Sequence, residues 1–230
     1  MIAQRHKCIL RELEIKSPIK VEELSEKLKV SVSTIRRDLN TLDRQGALIK
    51  VHGGAIRIED QITEDVERAI RKELNVAQKE VIAKKASTMI RPGDVVYLDA
   101  GSTVSSMVKY DIPKDVTFVT NDLITGVELS LRGYRVHVPA GNIKASTGAL
   151  IGEECISSLS KFVFDIGFFG ANGISEEKGF TTPDISEGEV KKKALERCKK
   201  KFILADKSKV NKVCTYMFCE YDRDILITEN

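Results

Sequence analysis

The sequence predicts an α/β protein in two parts: a small N-terminal unit of three helices and a β-hairpin, then a larger unit built on a mainly parallel sheet. Three observations carry this. Apolar residues recur at helical spacing three times before Gly46, a Gly-Gly pair at 53–54 separates two β-prone runs, and from residue 77 onward β-rich runs alternate with helical stretches. At 230 residues the chain exceeds one average domain, and its 42% hydrophobic and 31% charged residues suit a globular chain with a substantial core rather than a disordered one.

In the N-terminal unit, Ile9, Leu10 and Leu13 mark a first helix over residues 3–16, ended near Ser17-Pro18 because the residue before proline disfavours helical geometry. Val21, Leu24 and Leu28 mark a short second helix. After a tight Lys29-Val30 connection, Ser31 is a good N-cap for a third helix carrying Ile35, Leu39 and Leu42, which Gly46 stops. Residues 48–58, LIKVHGGAIRI, read as a hairpin with Gly53-Gly54 adopting the positive φ values of its turn. This order of elements is a winged helix-turn-helix, whose third helix enters a DNA major groove. Residues 59–76, EDQITEDVERAIRKELNV, are charge-rich without a sustained apolar pattern and read as a linker or exposed connecting helix. The expected divisions are 1–58, 59–76 and 77–230.

Charge follows the same division. Residues 1–57 hold 12 Lys/Arg against 7 Asp/Glu, net +5, and the remainder is net −2, so the basic end is the candidate nucleic-acid contact. On the third helix Ser33, Arg37, Asn40 and Arg44 point away from the apolar stripe, with Arg36 at its flank. Arginine pairs bidentately with guanine and asparagine with adenine, while Ser33 and Thr34 at the first turn suit phosphate or base-edge contacts. Lys50, His52, Gly53 and Gly54 place the wing near a phosphate or the minor groove. The alternative for the helix is an ordinary solvated face.

In the larger unit the β-rich runs are VVYL at 95, VTFVT at 116, YRVHV at 134, FVFDIGFF at 162, FILA at 202 and DILIT at 224. After the first comes DAGST, residues 99–103, opening a helix. There, backbone amides with the Ser102 and Thr103 hydroxyls suit a phosphate, or else form an ordinary capped strand-to-helix turn. Further polar loops follow other strand ends: Thr120-Asn121-Asp122, Ala140-Gly141-Asn142, Gly170-Ala171-Asn172-Gly173 and Ala205-Asp206. Ligands of parallel sheets bind at these carboxyl ends, and loops this rich in Asn, Asp, Gly and hydroxyls suit a polyhydroxylated, phosphorylated molecule.

Other classes are disfavoured. The longest apolar runs fall far short of the roughly 20 residues of a membrane helix, and the polar start MIAQRHKCIL has no secretory leader pattern, so a cytoplasmic location is expected. Five cysteines without a Cys-x-x-Cys pair, and three histidines not clustered with them, lead to an expectation of no metal; no cofactor is expected either.

The stretch VSVSTIRRDLNTLDRQGALIKVHGGAI, residues 30–56, resembles the recognition helix and wing of the DeoR family of bacterial transcription regulators, with TIRRDL and HGGA as its signature strings. LDAGST, VTND, FFGANGIS, GFTTPD, EGEVKKKAL and LADKSK are similar to segments of that family's effector domain. The resemblance implies a fold related to ribose-phosphate isomerases and coenzyme A transferases, an operator-DNA partner, a phosphorylated sugar-pathway intermediate as inducer, and homodimers or homotetramers. It implies that Thr34, Arg36 and Arg37 dock in the operator with Asp38 orienting an arginine. Carried over, Asp99, Gly101, Ser102, Thr103, Asn121 and Lys191 would line the effector pocket, while Gly141 and Gly170 are expected to bind the effector from the strand-end loops. Two positions depart from the family wording: Ala140-Gly141 stands where a Gly-Gly pair is frequent, and Gly188 where alanine is usual. Neither is expected to threaten the fold, since glycine in a helix's first turns costs at most about 1 kcal/mol.

Two alternatives to a repressor stand beside this reading. One is a sugar-phosphate isomerase-like enzyme using Asp99, Glu189 and Lys191 as acid, base and electrophile, against which Asn172 and Gly173 stand where the related isomerases carry acidic residues. The other is a DNA-binding protein controlled by a partner protein.

Overall fold

The structure is a computed structural model that describes residues 2–51, 53–58, 72 and 74–230. Its contacts divide the chain into Met1–Leu74 and Asn75–Asn230. Of the expected linker, residues 59–71 and 73 lie outside the described residues, as does His52.

The first unit comprises α1 (Ile2–Ile15), β1 (Ile19–Lys20), α2 (Val21–Leu28), α3 (Val32–Arg44), β2 (Ile49–Val51) and β3 (Gly54–Ile56). Ile9 and Leu13 of α1, Leu24 of α2 and Ile35, Leu39 and Leu42 of α3 form one buried cluster, the apolar stripes meeting as their helical period requires. The α2–α3 turn is made by Lys29 in the left-handed region, φ 52°, with the Ser25 hydroxyl donating to Val30 O at 2.6 Å. Ser31 caps α3 by accepting from Thr34 N, and beyond α3 Gly46 takes φ 66°.

The wing differs from the sequence expectation. Val51 pairs with Gly54, so Gly54 belongs to β3 rather than to the turn, and of the Gly-Gly pair only Gly53 has positive φ, 77°. Gly54 is needed for another reason: the short strand β1, unforeseen in the sequence, joins the sheet in the order β1-β3-β2, and a Cβ on Gly54 would lie 2.2 Å from Ile19 O.

Among the described residues of this unit Asp38 is the buried charge. It accepts hydrogen bonds from Arg5 Nε, from the second Arg5 nitrogen at 3.0 Å and from His6 Nε2 at 3.2 Å, pinning α1 to the helix expected to read DNA. Burial alone would raise its carboxyl, but the bonds from Arg5 and His6 prevail and hold it below the ordinary value. A depressed folded pKa gives stability that is present above the unfolded value and lost as pH falls through the folded one. Asp38→Asn is therefore expected to cost about 2 kcal/mol at neutral pH. The loss should shrink only as pH falls from 3.8 through the lower folded-state value, where the wild-type carboxylate is itself protonated; urea titrations followed by circular dichroism at neutral pH and across that acid range check this.

The second unit begins with α4 (Val76–Ser87) and is organised by a six-stranded sheet in which every pairing is parallel. Its strands are β4 (Val95–Leu98), β5 (Thr117–Thr120), β6 (Arg135–His137), β9 (Phe164–Gly170), β12 (Cys198–Leu204) and β14 (Leu226–Ile227), in the order β14-β12-β9-β4-β5-β6. Each predicted β-rich run supplies one strand. Between them lie α5 (Ser102–Ser105), α6 (Leu123–Leu131), α7 (Glu153–Ser160) and α8 (Ile185–Glu196). Helices and loops cover both faces: Val96, Leu98 and Phe118 belong to one buried cluster, and Tyr97, Val119 and Phe169 to the other.

The sequence reading missed two smaller sheets. One is the hairpin of β7 (Asn142–Ile143) and β8 (Leu150–Ile151); the other is antiparallel, β10 (Gly173–Ser175), β11 (Gly179–Thr182) and β13 (Tyr216–Cys219). The second explains Gly188. Tyr216 of β13 packs against α8 at Gly188, and a Cβ on Gly188 would meet its ring at 2.2 Å. The substitution that the family wording suggests is harmless is thus a clash with a ring, not a gain in helix propensity. Gly188→Ala is expected to destabilise by about 1–3 kcal/mol, and Tyr216→Ala introduced with it to remove most of the added loss, measured as a double-mutant cycle of urea unfolding.

Candidate DNA-reading face and effector site

On α3 the outward residues stand as expected: Ser33, Arg36, Arg37, Asn40 and Arg44 are exposed and Thr34 is half-buried. A groove of about 680 Å³ runs between α3, the wing and the start of α2, lined by Arg36, Asn40, Lys50 and Gly53 with Glu22 and Asp43. Arg36, read as a flank residue, thus faces the groove together with Asn40. The wing is fastened to α3 by Lys50 N donating to Asp43 Oδ1 at 2.9 Å. Ser33 and Thr34 hydroxyls already contact Ser31 Oγ, each at 2.9 Å, so the first turn is a hydroxyl cluster around the cap. Gly53 is exposed, while Gly54 is buried against β1 and offers packing rather than an accessible amide. Asp38 does orient an arginine, Arg5 of α1.

In the sheet unit, β5 follows β4 on one side while β9 pairs on its other side, so the strand order reverses between β4 and β9. Open parallel sheets bind ligands at the carboxyl ends flanking such a reversal. Asp99 leaves β4 there, 1% exposed, and its Oδ2 accepts from Gly170 N at the end of β9, 2.9 Å, and from the Lys191 ammonium of α8, itself 3% exposed. Asp99 Oδ1 is equally buried and has no hydrogen-bond partner among the described residues. The Gly101 and Gly170 Cα atoms face each other, and a Cβ on either would stand 3.8–3.9 Å from the other's Cα, an ordinary van der Waals contact.

Asn121 is drawn in as a brace. Its Oδ1 accepts from Ala100 N at 3.1 Å and from the Tyr97 hydroxyl at 2.9 Å, and its Nδ2 donates to Leu150 O. Burial first, then the nearby Asp99 charge, push the Tyr97 hydroxyl well up, so it serves as a neutral donor. Ser102 and Thr103 open α5, but α5 has only four residues before the chain tightens into a 3-10 turn at Ser106–Lys109. Anion attraction there rests on local amides rather than on a long helix dipole. Gly141 has φ 138° and packs against Ile151 O and Cys155, which accounts for the glycine without a ligand.

Residues 5–61 match the DeoR-like helix-turn-helix domain and residues 74–230 the DeoR C-terminal sensor domain. The chain belongs to the DeoR family. Among its relatives, an uncharacterized HTH-type transcriptional regulator of Bacillus subtilis (strain 168), FruR, is 36% identical over 98% of this chain and 90% of its own. The lactose phosphotransferase system repressor of Streptococcus mutans serotype c is 31% identical over 89% of this chain and 82% of its own. Ribose 5-phosphate isomerase A of Methanocaldococcus jannaschii matches 59% of this chain and 55% of its own at TM-score 0.44 and 16% identity, too distant to bear on function.

In this DeoR-family chain the constellation weighed for an isomerase does not assemble. Glu189 is exposed on the outer side of α8, where it accepts from the Tyr216 hydroxyl, away from the buried Asp99–Lys191 pair. The buried carboxylate of that helix is Glu187, one turn before Lys191, accepting from Thr147 Oγ1 at 2.7 Å. Lys144, between β7 and β8, lies 2.8 Å from Asp184 Oδ2 and 3.6 Å from Glu187 Oε1. The sequence reading missed Glu187, Thr147 and Lys144. For Glu187 a signal existed, its four-residue spacing from Lys191, which puts both on one helix face. Among the described residues no group of His, Cys, Asp and Glu is arranged to hold a metal ion, and no helix is long and apolar enough to cross a membrane.

Proposed function

We propose that this chain is a cytoplasmic repressor of a sugar-utilisation operon that leaves its operator when a phosphorylated sugar binds the sheet unit. The observation that carries the reading is Asp99. A buried carboxylate with one oxygen unpartnered is costly, by about 1–3 kcal/mol, unless a donor completes it, and a sugar hydroxyl is such a donor. Lys191 beside it supplies a buried cation for an anionic ligand, and the Gly101–Ser102–Thr103 amides supply donors for phosphate oxygens. The relative named as a repressor of a lactose phosphotransferase system supports the same ligand class.

In this reading residues 1–58 contact DNA through Ser33, Thr34, Arg36, Arg37, Asn40, Arg44, His52, Gly53 and Gly54, residues 59–76 connect, and residues 77–230 sense and assemble. Helix-turn-helix proteins read paired half-sites with symmetric assemblies, so the working form is a homodimer or homotetramer. The test is titration of the full chain on its promoter-proximal DNA, at fixed salt, with a panel of phosphorylated sugars and their unphosphorylated counterparts. One phosphosugar releasing the DNA, and its unphosphorylated form failing to, is the expected result; undiminished binding with the whole panel transfers control to a protein partner.

A further inference from the structure

α6 carries little charge for its length: in LITGVELSL only Glu128 is charged. A helix apolar on all sides belongs in an interior. Here Thr125, Gly126 and Leu129 face the sheet, Gly126 close enough that a Cβ would lie 2.8 Å from Val138. Three apolar side chains at positions i, i+3 and i+7 remain in water: Ile124 at 48% exposure, Val127 at 54% and Leu131 at 84%, with Val138 flanking them at 40%. This helix lies on β5 and β6, and β6 is the last strand of the parallel sheet, its outer edge unpaired among the described residues. Parallel strands are ordinarily covered on both sides.

We infer that the stripe Ile124, Val127 and Leu131 of α6, with Val138, is the contact with a second copy of this chain, packed about a two-fold axis. The choice of occupant rests on the assembly proposed above; the choice of face rests on area and charge. At the usual areas of such side chains the four expose roughly 400 Å² of apolar surface. One side of a standard interface buries about 800 Å², somewhat over half of it apolar, so the patch meets nearly the whole apolar requirement of one interface. Its core carries no lysine or arginine, which disqualifies it for phosphate backbones. A neutral apolar stripe is also complementary to itself, as a two-fold contact demands and as a contact with a charged partner does not.

The test uses the full chain and sedimentation velocity over a range of concentrations. Leu131→Glu suits it because a side chain 84% exposed contributes little to folding of the single chain. The expected result is an oligomeric wild type, and a Leu131→Glu variant that keeps its circular dichroism spectrum but loses one level of assembly, its dissociation constant raised about 100-fold. Leu131→Met retains the assembly. Met217→Glu, a charge at another exposed apolar position outside the stripe, also leaves it intact. A monomeric wild type overturns both the proposed assembly and this face. An oligomeric wild type whose mass is unchanged by Leu131→Glu, or one that only Met217→Glu dissociates, keeps the assembly and overturns the face, leaving it to a different protein.

Discussion

Lys191→Met is expected to yield a protein that binds its operator as well as the wild type does but is no longer released by the sugar phosphate. The ammonium sits buried on Asp99 Oδ2, so the substitution removes the cation contacting that carboxylate and leaves Gly170 N as its donor among the described residues. An anionic ligand loses its counter-charge in a setting of low dielectric, where a charged hydrogen bond is worth about 3 kcal/mol, or roughly 100-fold in affinity. The same loss strands a buried charge, and breaking such a pair costs about 3–5 kcal/mol of stability. The two effects separate in Asp99→Asn/Lys191→Met, in which neither charge remains. That double variant is expected to recover much of the stability without recovering the response. Thermal melts beside operator-release titrations give both quantities. If Lys191→Met is released at wild-type sugar concentrations, the effector does not use this pair and the site must be sought elsewhere.

What the sequence made legible follows a physical dividing line. Periodicity and apolar runs report burial, and burial is what sets α3 and the six parallel strands, so Ile35, Leu39 and Leu42 face inward and every run from VVYL to DILIT became a strand. Features fixed by close approach across the chain leave no local trace. Gly54 reads as a turn glycine, yet it is a glycine because Ile19 O lies against it, and Gly188 reads as a helix defect, yet Tyr216 occupies the space of its side chain. The strands β10 and β11, GIS and GFTT, are short and rich in glycine and threonine, too weak in apolar alternation to register, and β13, YMFC, is an isolated run of four residues. At the candidate effector site, Asp99 and Lys191 are 92 positions apart and Thr147 and Glu187 are 40 apart, so their convergence belongs to the fold and not to any motif. Glu189 has the residue type of a catalytic acid or base beside Lys191 but not the position. Two residues along a helix turn a side chain by about 200°, and that places Glu189 on the opposite face.

Arg37→Ala is expected to weaken operator binding by about 1–3 kcal/mol, roughly 5- to 150-fold, if the guanidinium reads a base. The geometry makes the substitution clean. Arg37 is exposed on α3, its side chain supports none of the buried cluster, and its backbone carbonyl still accepts from Thr41 Oγ1 after truncation. A loss of binding therefore reports the DNA contact rather than a disturbed helix. Base reading and phosphate anchoring then diverge in two measurements. If Arg37 reads a base, the penalty is confined to operators carrying the preferred base pair, and the variant discriminates poorly at that one position. If it anchors phosphate, every operator is weakened alike and the slope of log affinity against log salt flattens by about one. Arg36 is the internal comparison, since it lines the groove beside Lys50 and Gly53 of the wing. A wing lies along the backbone or in the minor groove, so Arg36→Ala is expected to follow the phosphate pattern while Arg37→Ala follows the base-reading one. Affinities of both variants for a set of single-base-pair operator changes at two salt concentrations decide between them. Identical behaviour of the two would mean that α3 lies in the groove at a different rotation from the one its exposed face indicates.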